Sequence, residues 1–361
     1  MTGTAGMTGA ARVGLVLGPT PLHPLPGLSD QLGVPVLAKR DDLTGAGLGG
    51  NKLRNLEFLI ADALAGGCDS LVTGAGPQSN WTMLAALAAR RHGLDPHVVV
   101  YGDGAADEGN MRLHRWIGTD IRFTGQPERS SVDAGIDAVA AELRAAGRRP
   151  YLVPRGGATP LGALGYVRGH AELTAQLTAL GVRPEALWLA TGSCGTQAGL
   201  VAGAALARAA GTGGDFAIRG VTVSRPAAEC RDRIAAIGSG AAALAARLGV
   251  GTGWGAAGTG TTDPGTNADG DAADAGAPDV GEPEVIDGWI GPGYGIPSAA
   301  GQQAARLVAA TEGIFLDPVF GAKAMAALLA AGRAGQLTGP QVFLVSGGAP
   351  TLFTASGGGV L

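Results

Sequence analysis

The strongest constraint on the fold is an alternation along the chain. Short apolar runs of β character are separated by longer Ala- and Leu-rich stretches with a helical period. A parallel strand buried on both faces reads as a continuous apolar run, and the crossover to its parallel neighbour usually takes a helix. The alternation therefore predicts an α/β protein with open, largely parallel sheets and flanking helices. Strands are expected at 34–38, 70–72, 97–101, 120–123, 151–153, 187–190, 219–223 and 342–345. Helices are expected at 53–64, 81–91, 132–146, 165–180, 197–210, 298–310 and 322–331. In the first of these, Leu53, Leu56, Ile60, Ala63 and Leu64 recur at helical spacing. Gly66, Gly93, Gly147 and Gly181 follow helices and are expected as left-handed caps. Residues 251–284 break the pattern with nine Gly, seven Asp or Glu and no Lys or Arg. Such a segment buries too little apolar surface to offset its ordering entropy, so a flexible insertion is expected there.

Composition narrows the function. The chain has 361 residues, which suggests two domains at about 150 residues each. Its net charge of −4 and the lack of any basic block argue against a dedicated nucleic-acid or anionic-membrane binder. No apolar run is long enough to span a bilayer, and Met1–Arg12 lacks the apolar stretch of a signal peptide. Cys68, Cys194 and Cys230 have neither disulfide-framework nor zinc spacing. A cytoplasmic protein is expected. His92, His97, His114 and His170 have no ligand spacing and are expected on the surface or in loops.

Lysine is rare: Lys39, Lys52 and Lys323 are the only three. Chemistry that needs a primary amine must use one of them. Lys52 ends the glycine-rich loop Thr44-Gly45-Ala46-Gly47-Leu48-Gly49-Gly50-Asn51 and opens a helix, where the helix dipole disfavours its ammonium form. It reads either as an amine nucleophile or as a surface lysine in a flexible turn. A second loop, residues 73–80, leaves a strand and enters a helix through Gln78-Ser79-Asn80. Ser79 and Asn80 suit a ligand at the carboxyl end of a sheet, and equally a helix cap. A third loop, Thr191-Gly192-Ser193-Cys194-Gly195-Thr196, again joins strand to helix. Its small residues suit a phosphate, or a plain tight connection. It lacks the G-K-[ST] ending of a nucleotide loop and the spacing of a dinucleotide fingerprint. A rare lysine, an Asn/Ser loop and a phosphate cradle together are what an enzyme holding pyridoxal 5′-phosphate needs.

The run Lys39-Arg40-Asp41-Asp42-Leu43-Thr44 with Gly49-Gly50-Asn51-Lys52-Leu53-Arg54-Asn55-Leu56-Glu57-Phe58 resembles the D-cysteine desulfhydrase and 1-aminocyclopropane-1-carboxylate deaminase family. The likeness continues through Gln78-Ser79-Asn80, residues 160–166, 191–199, Gly293-Tyr294-Gly295, residues 311–319 and Ser346-Gly347-Gly348. It implies the tryptophan synthase β-like fold (fold type II). A large domain would comprise 1–52 and 161–361, a small domain 53–160, with pyridoxal phosphate between them and a homodimer as the working state. It also implies roles. Lys52 would form the Schiff base and shuttle the α-proton, and Asn80 would bond the cofactor's phenolic oxygen. Ser79 would meet the substrate carboxylate or assist proton transfer. Gly192, Ser193, Cys194, Gly195 and Thr196 would wrap the phosphate. Tyr294 would anchor substrate or exchange a proton, and Ser346 would face the pyridine nitrogen.

Departures from the family pattern bear on substrate. Phe320-Gly321 stands where the deaminases have Tyr-Glu, Trp81 where Gln or His follows Ser-Asn, and Val345 where His is common. Without that Glu, and with a Ser346 hydroxyl at the ring nitrogen, the resemblance implies elimination of a β-substituent from a small amino acid rather than ring opening. The products would be a 2-oxo acid and ammonia. A β-replacement synthase, a deaminase of another amino acid and a non-catalytic cofactor binder are the alternatives. Trp81 and Phe320 are expected either to reshape the substrate pocket or, for Trp81, to point into the core. Lys39 is expected to end a strand. Lys323, opening a helix, is the rival for the Schiff base.

Overall fold

The computed structural model describes residues 11–250 and 278–354. In chain order its elements begin with β1 (Leu22–Pro24), α1 (Pro26–Leu32), β2 (Val36–Arg40), α2 (Lys52–Ala65), β3 (Ser70–Ala75), α3 (Asn80–Arg91), β4 (Asp95–Val100), α4 (Gly109–Ile117), β5 (Asp120–Phe123), α5 (Ser131–Ala145) and β6 (Pro150–Leu152). They continue with α6 (Pro160–Leu180), β7 (Ala186–Thr191), α7 (Gly195–Ala210), β8 (Ala217–Thr222), α8 (Ala227–Leu248), β9 (Val285–Ile286), α9 (Ala299–Glu312), α10 (Gly321–Arg333) and β10 (Gln341–Val345).

Two sheets result. One has the order β1-β2-β10-β7-β8-β9 and the other β5-β4-β3-β6. Every pairing is parallel except that of β1 with β2. Side chains alternate across a strand, so a sheet covered on both faces feeds two cores. Val342 and Leu344 of β10, with Leu187 and Leu189 of β7, join the core under α6, α7 and α8. Phe343, Val345 and Trp188 join the opposite core, with Leu28 of α1, Val308 of α9 and Leu328 of α10. In the smaller sheet Leu71 packs with Leu53, Leu56 and Leu84, while Val72 packs with Val132 and Ile136 of α5. This is the open parallel α/β architecture that the alternation predicts.

Several expectations need correction. Strand β2 starts at Val36, two residues late, because Pro35 has no N–H to give a ladder. Strand β4 begins at Asp95 and ends before Tyr101, which is left in the loop beyond. Short β1 and β9 and helices α1, α4 and α8 were not expected. Within α8 a Cβ at Gly238 would lie 3.2 Å from Val201 and one at Gly240 2.9 Å from Pro160, so both glycines serve close contact with neighbouring elements. Gly66 has φ −72° and is not left-handed; Gly67, at +64°, takes that conformation. His114 and His170 are buried in helices, not exposed: His114 bonds Thr82 and Thr119, and His170 stacks on Phe216. The expected flexible insertion lies outside the described residues except for 278–284, where Val280 enters the core. No helix among the described residues is long and apolar enough to cross a membrane.

One close approach between helices sets where α2 begins. A Cβ on Gly165 of α6 would sit 2.1 Å from the Arg54 carbonyl oxygen. Only glycine lets α6 come this near the first turn of α2.

Candidate active site

The carboxyl ends of both sheets open onto one cleft of about 880 Å³ of free space, its mouth included. This is where ligands bind in open α/β sheets. The loop after β2 brings Asn51 and Lys52, the loop after β3 Ser79 and Asn80, the β7 loop Gly192 and Ser193, and the end of β10 Ser346. Tyr294 and Phe320 close the wall. A small recess beside it is lined by Lys52, residues 190–194, Thr196 and Gln197.

Lys52 is the first residue of α2 and directs its amine at the Ser193 hydroxyl, 3.4 Å away. Burial lowers its pKa to about 8, partly opposed by the Cys194 thiol. Desolvation is therefore the principal cause of the weakened ammonium. The other two lysines are engaged elsewhere. Lys39 is buried in an ion pair with Glu172 and also bonds Thr20 O and Gln176 Oε1. Lys323 is buried and donates to Ile290 O at 2.7 Å and Gly293 O at 3.1 Å, pinning the loop that carries Tyr294.

The β7 loop turns into α7 through Cys194, which adopts φ +78°, a conformation that L-residues seldom take. The turn aims backbone N–H groups at the helix N-terminus, the arrangement that binds anions. Asn51 Nδ2 donates to Thr196 Oγ1 at 2.9 Å and ties the lysine loop to this one. Gly195 faces Ala158 and Asn55 across the loop, outside the main cleft lining.

Ser79 is both things that its sequence suggests. Its Oγ caps α3 by accepting Thr82 N–H, and the residue lines the cleft. Asn80 Oδ1 accepts from Asn110 Nδ2 at 2.8 Å, which leaves the Asn80 amide as a donor. Ser346 accepts Asn51 N–H on its carbonyl, and its hydroxyl has no partner among the described residues. Trp81 is 2% exposed, donates from Nε1 to Thr73 Oγ1, and fills the space that a Cβ on Gly157 would need. It thus belongs to the core, with one edge on the cleft. Phe320 meets Tyr294 edge-on at 6.1 Å, its backbone fixed by Asp317, whose carboxylate accepts N–H from Val319, Phe320 and Gly321.

The cleft also holds residues that were not singled out in the sequence: Tyr101, Arg129, Arg155 and Arg225. Each follows the carboxyl end of a strand. That position was the available signal, because in parallel sheets such loops converge on the ligand.

Known proteins similar to this chain share its family and its fold. Residues 13–347 match the family described as pyridoxal-phosphate dependent enzyme. The chain is 35% identical to a D-cysteine desulfhydrase of Salmonella paratyphi B, over 96% of this chain and 97% of that protein. A solved ACC deaminase homologue superposes with a TM-score of 0.80 at 33% identity, covering 95% of this chain and 93% of the other. A solved T.th. threonine deaminase, at 20% identity and a TM-score of 0.59, covers 91% of this chain and 92% of its own and shares the fold. The same strand-to-helix loops that form the cleft lie inside the matched region, and the chain belongs to the pyridoxal-phosphate dependent enzymes of fold type II.

Proposed function

We propose that the protein is a lyase that removes the α-proton of a small β-substituted amino acid and expels the β-substituent, giving a 2-oxo acid and ammonia. The observation that carries this reading is the fate of the lysines: Lys52 alone presents its amine to the cleft, while Lys39 and Lys323 are buried in other bonds. The donor set suits pyridoxal phosphate. In this reading the β7 loop, residues 192–196, holds the phosphate. The spare Asn80 amide donates to the phenolic oxygen, and the unpartnered Ser346 hydroxyl meets the pyridine nitrogen. Pyridoxal phosphate, when bound, supplies an electron sink that makes an amino acid's Cα–H acidic. Lys52 Nζ accepts that proton, and its pKa near 8 suits the task close to neutral pH. Ser79, whose oxygen is occupied by Thr82 N–H, keeps its own O–H for the substrate carboxylate. Tyr294 has its phenol pushed up by burial, against the Arg129 guanidinium, and so holds its proton as an anchor.

Elimination is favoured over ring opening because, among the described residues, no Asp or Glu lines the cleft. A hydroxyl at the ring nitrogen gives a weaker sink than a carboxylate does, and a weaker sink suffices where the β-substituent leaves readily. Within this reading the enzyme works in the cytoplasm as a homodimer. The test is a panel of D-cysteine, L-cysteine, β-chloroalanine and 1-aminocyclopropane-1-carboxylate with holoenzyme. Pyruvate from β-chloroalanine and no 2-oxobutanoate from the cyclopropane substrate is expected. Turnover of the cyclopropane substrate alone would replace elimination with ring opening.

A further inference from the structure

The charge lining the cleft exceeds what an ordinary neutral β-substituent needs. Three guanidinium groups, Arg129, Arg155 and Arg225, face it together with Lys52, and among the described residues no carboxylate does. The three are not equivalent. Arg225 is paired with Glu229 at 2.6 Å and donates to Gly192 O at 3.3 Å, so it belongs to the β7 loop. Arg155 is paired through Nε with Asp133 at 2.8 Å and gives Nη1 to the Arg129 carbonyl at 2.8 Å, leaving Nη2 uncommitted. Arg129 has no carboxylate or hydrogen-bond acceptor for its guanidinium among the described residues. The group lies 3.9 Å from the centre of the Tyr294 ring. Stacking there leaves the donor edge of the guanidinium open, and that fork matches a planar or tetrahedral oxyanion.

We propose that the cleft selects amino acids whose β-substituent carries a second negative charge, a sulfonate or phosphate, held by Arg129 with Arg155 as its brace. The proposal rests on the elimination reading above and names its substrate class. A cofactor phosphate at the β7 loop has its own N–H groups and Arg225. A substrate α-carboxylate has the start of α3, where Ser79 stands. Neither uses Arg129. Tyr101, Tyr294 and Phe320 line this end of the cleft, and a less polar surrounding strengthens the attraction of the unneutralised cation for an anion. The elimination balances without an added oxidant or reductant. The Cα–H proton passes to Lys52 Nζ, and the Cβ–S or Cβ–O bond breaks with its electron pair going to sulfite or phosphate. The remaining 2-aminoacrylate takes up water to give pyruvate and ammonia.

The test compares ligands that share an α-carboxylate and differ at the β-position. Holoenzyme is titrated by calorimetry with cysteate, O-phosphoserine, cysteine and serine, each enantiomer separately, and β-chloroalanine turnover is followed in parallel. The wild type is expected to bind at least one charged ligand about 30-fold more tightly than its uncharged counterpart, and the Arg129→Gln variant to lose most of that ratio. Arg129→Lys, which keeps the charge without the fork, should keep part of it. Preference for cysteate identifies a sulfonate, and preference for O-phosphoserine a phosphate. Equal affinity for charged and uncharged ligands in the wild type would overturn the proposal. So would a loss in Arg129→Gln shared equally by both classes, which would place Arg129 at the α-carboxylate. If β-chloroalanine gives no pyruvate, the elimination reading fails, and the affinity ratio still decides the anion site.

Discussion

Lys52→Ala holoenzyme is expected to lose about 10³-fold or more in kcat/KM for β-chloroalanine, because one side chain supplies both the covalent anchor and the base. The loss is chemical and not a failure to fold. Lys52 makes a single long bond, to Ser193 Oγ at 3.4 Å, and alanine has the highest helix propensity of any residue. Its circular dichroism and melting temperature should match the wild type within a few degrees. The β7 loop and Asn80 remain, so the variant still takes up pyridoxal phosphate non-covalently, and the absorbance of the lysine-linked form is missing. A variant retaining activity within tenfold of wild type would remove Lys52 from the chemistry.

Arg54→Met is expected to destabilise the protein by about 3–5 kcal/mol, the range for breaking one partner out of a buried ion cluster. Arg54 is 4% exposed and bridges Asp41 and Glu172 with four bonds of 2.8–2.9 Å. Lys39 pairs with Glu172, and the Tyr166 hydroxyl donates to Asp41 at 2.5 Å. Two cations and two anions balance. Removing Arg54 leaves two buried carboxylates sharing one lysine. Burial alone would raise the Asp41 carboxyl, but Arg54, Lys39 and Tyr166 outweigh it and hold the pKa at about 2. A depressed carboxylate stabilises the fold above its unfolded pKa, near 3.8, and that contribution is lost as pH falls toward 2. The wild type should therefore lose stability through that window, and Arg54→Met should lose less there, since its advantage is already gone. Urea denaturation at pH 7 and at acid pH measures both effects. Arg54 lies two residues after Lys52 in α2 and its carbonyl abuts Gly165, so the cluster packs directly against the first turn of the helix that carries the lysine.

The fold was legible where its signals were local. Apolar runs such as 187–190 and 342–345 sit in sheets covered on both faces, so their sequence carries the burial directly. The glycine-rich loops were legible too, since a tight strand-to-helix turn needs small residues wherever it occurs. Helix α8 was not expected; its Gly238 and Gly240 cost helix propensity, and only the close approach of Val201 to the first and Pro160 to the second shows what they serve. The site was half visible. Lys52 stood out by rarity, but nothing local separates Lys323, buried under the Tyr294 loop, from a free amine. Arg129, Arg155 and Tyr101 lie on strand-to-helix loops of the smaller sheet, and only the way the two sheets face each other brings them to the lysine. Trp81 could not be placed from sequence because its position turns on the room left by Gly157, far along the chain.

Which amine holds the cofactor decides the mechanism. Borohydride reduction of holoenzyme, followed by peptide mass mapping, reads this out directly. The pyridoxyl mass is expected on the peptide carrying Lys52 and absent from those carrying Lys39 and Lys323. A label on either of the latter, or none on protein that has bound the cofactor, would contradict it.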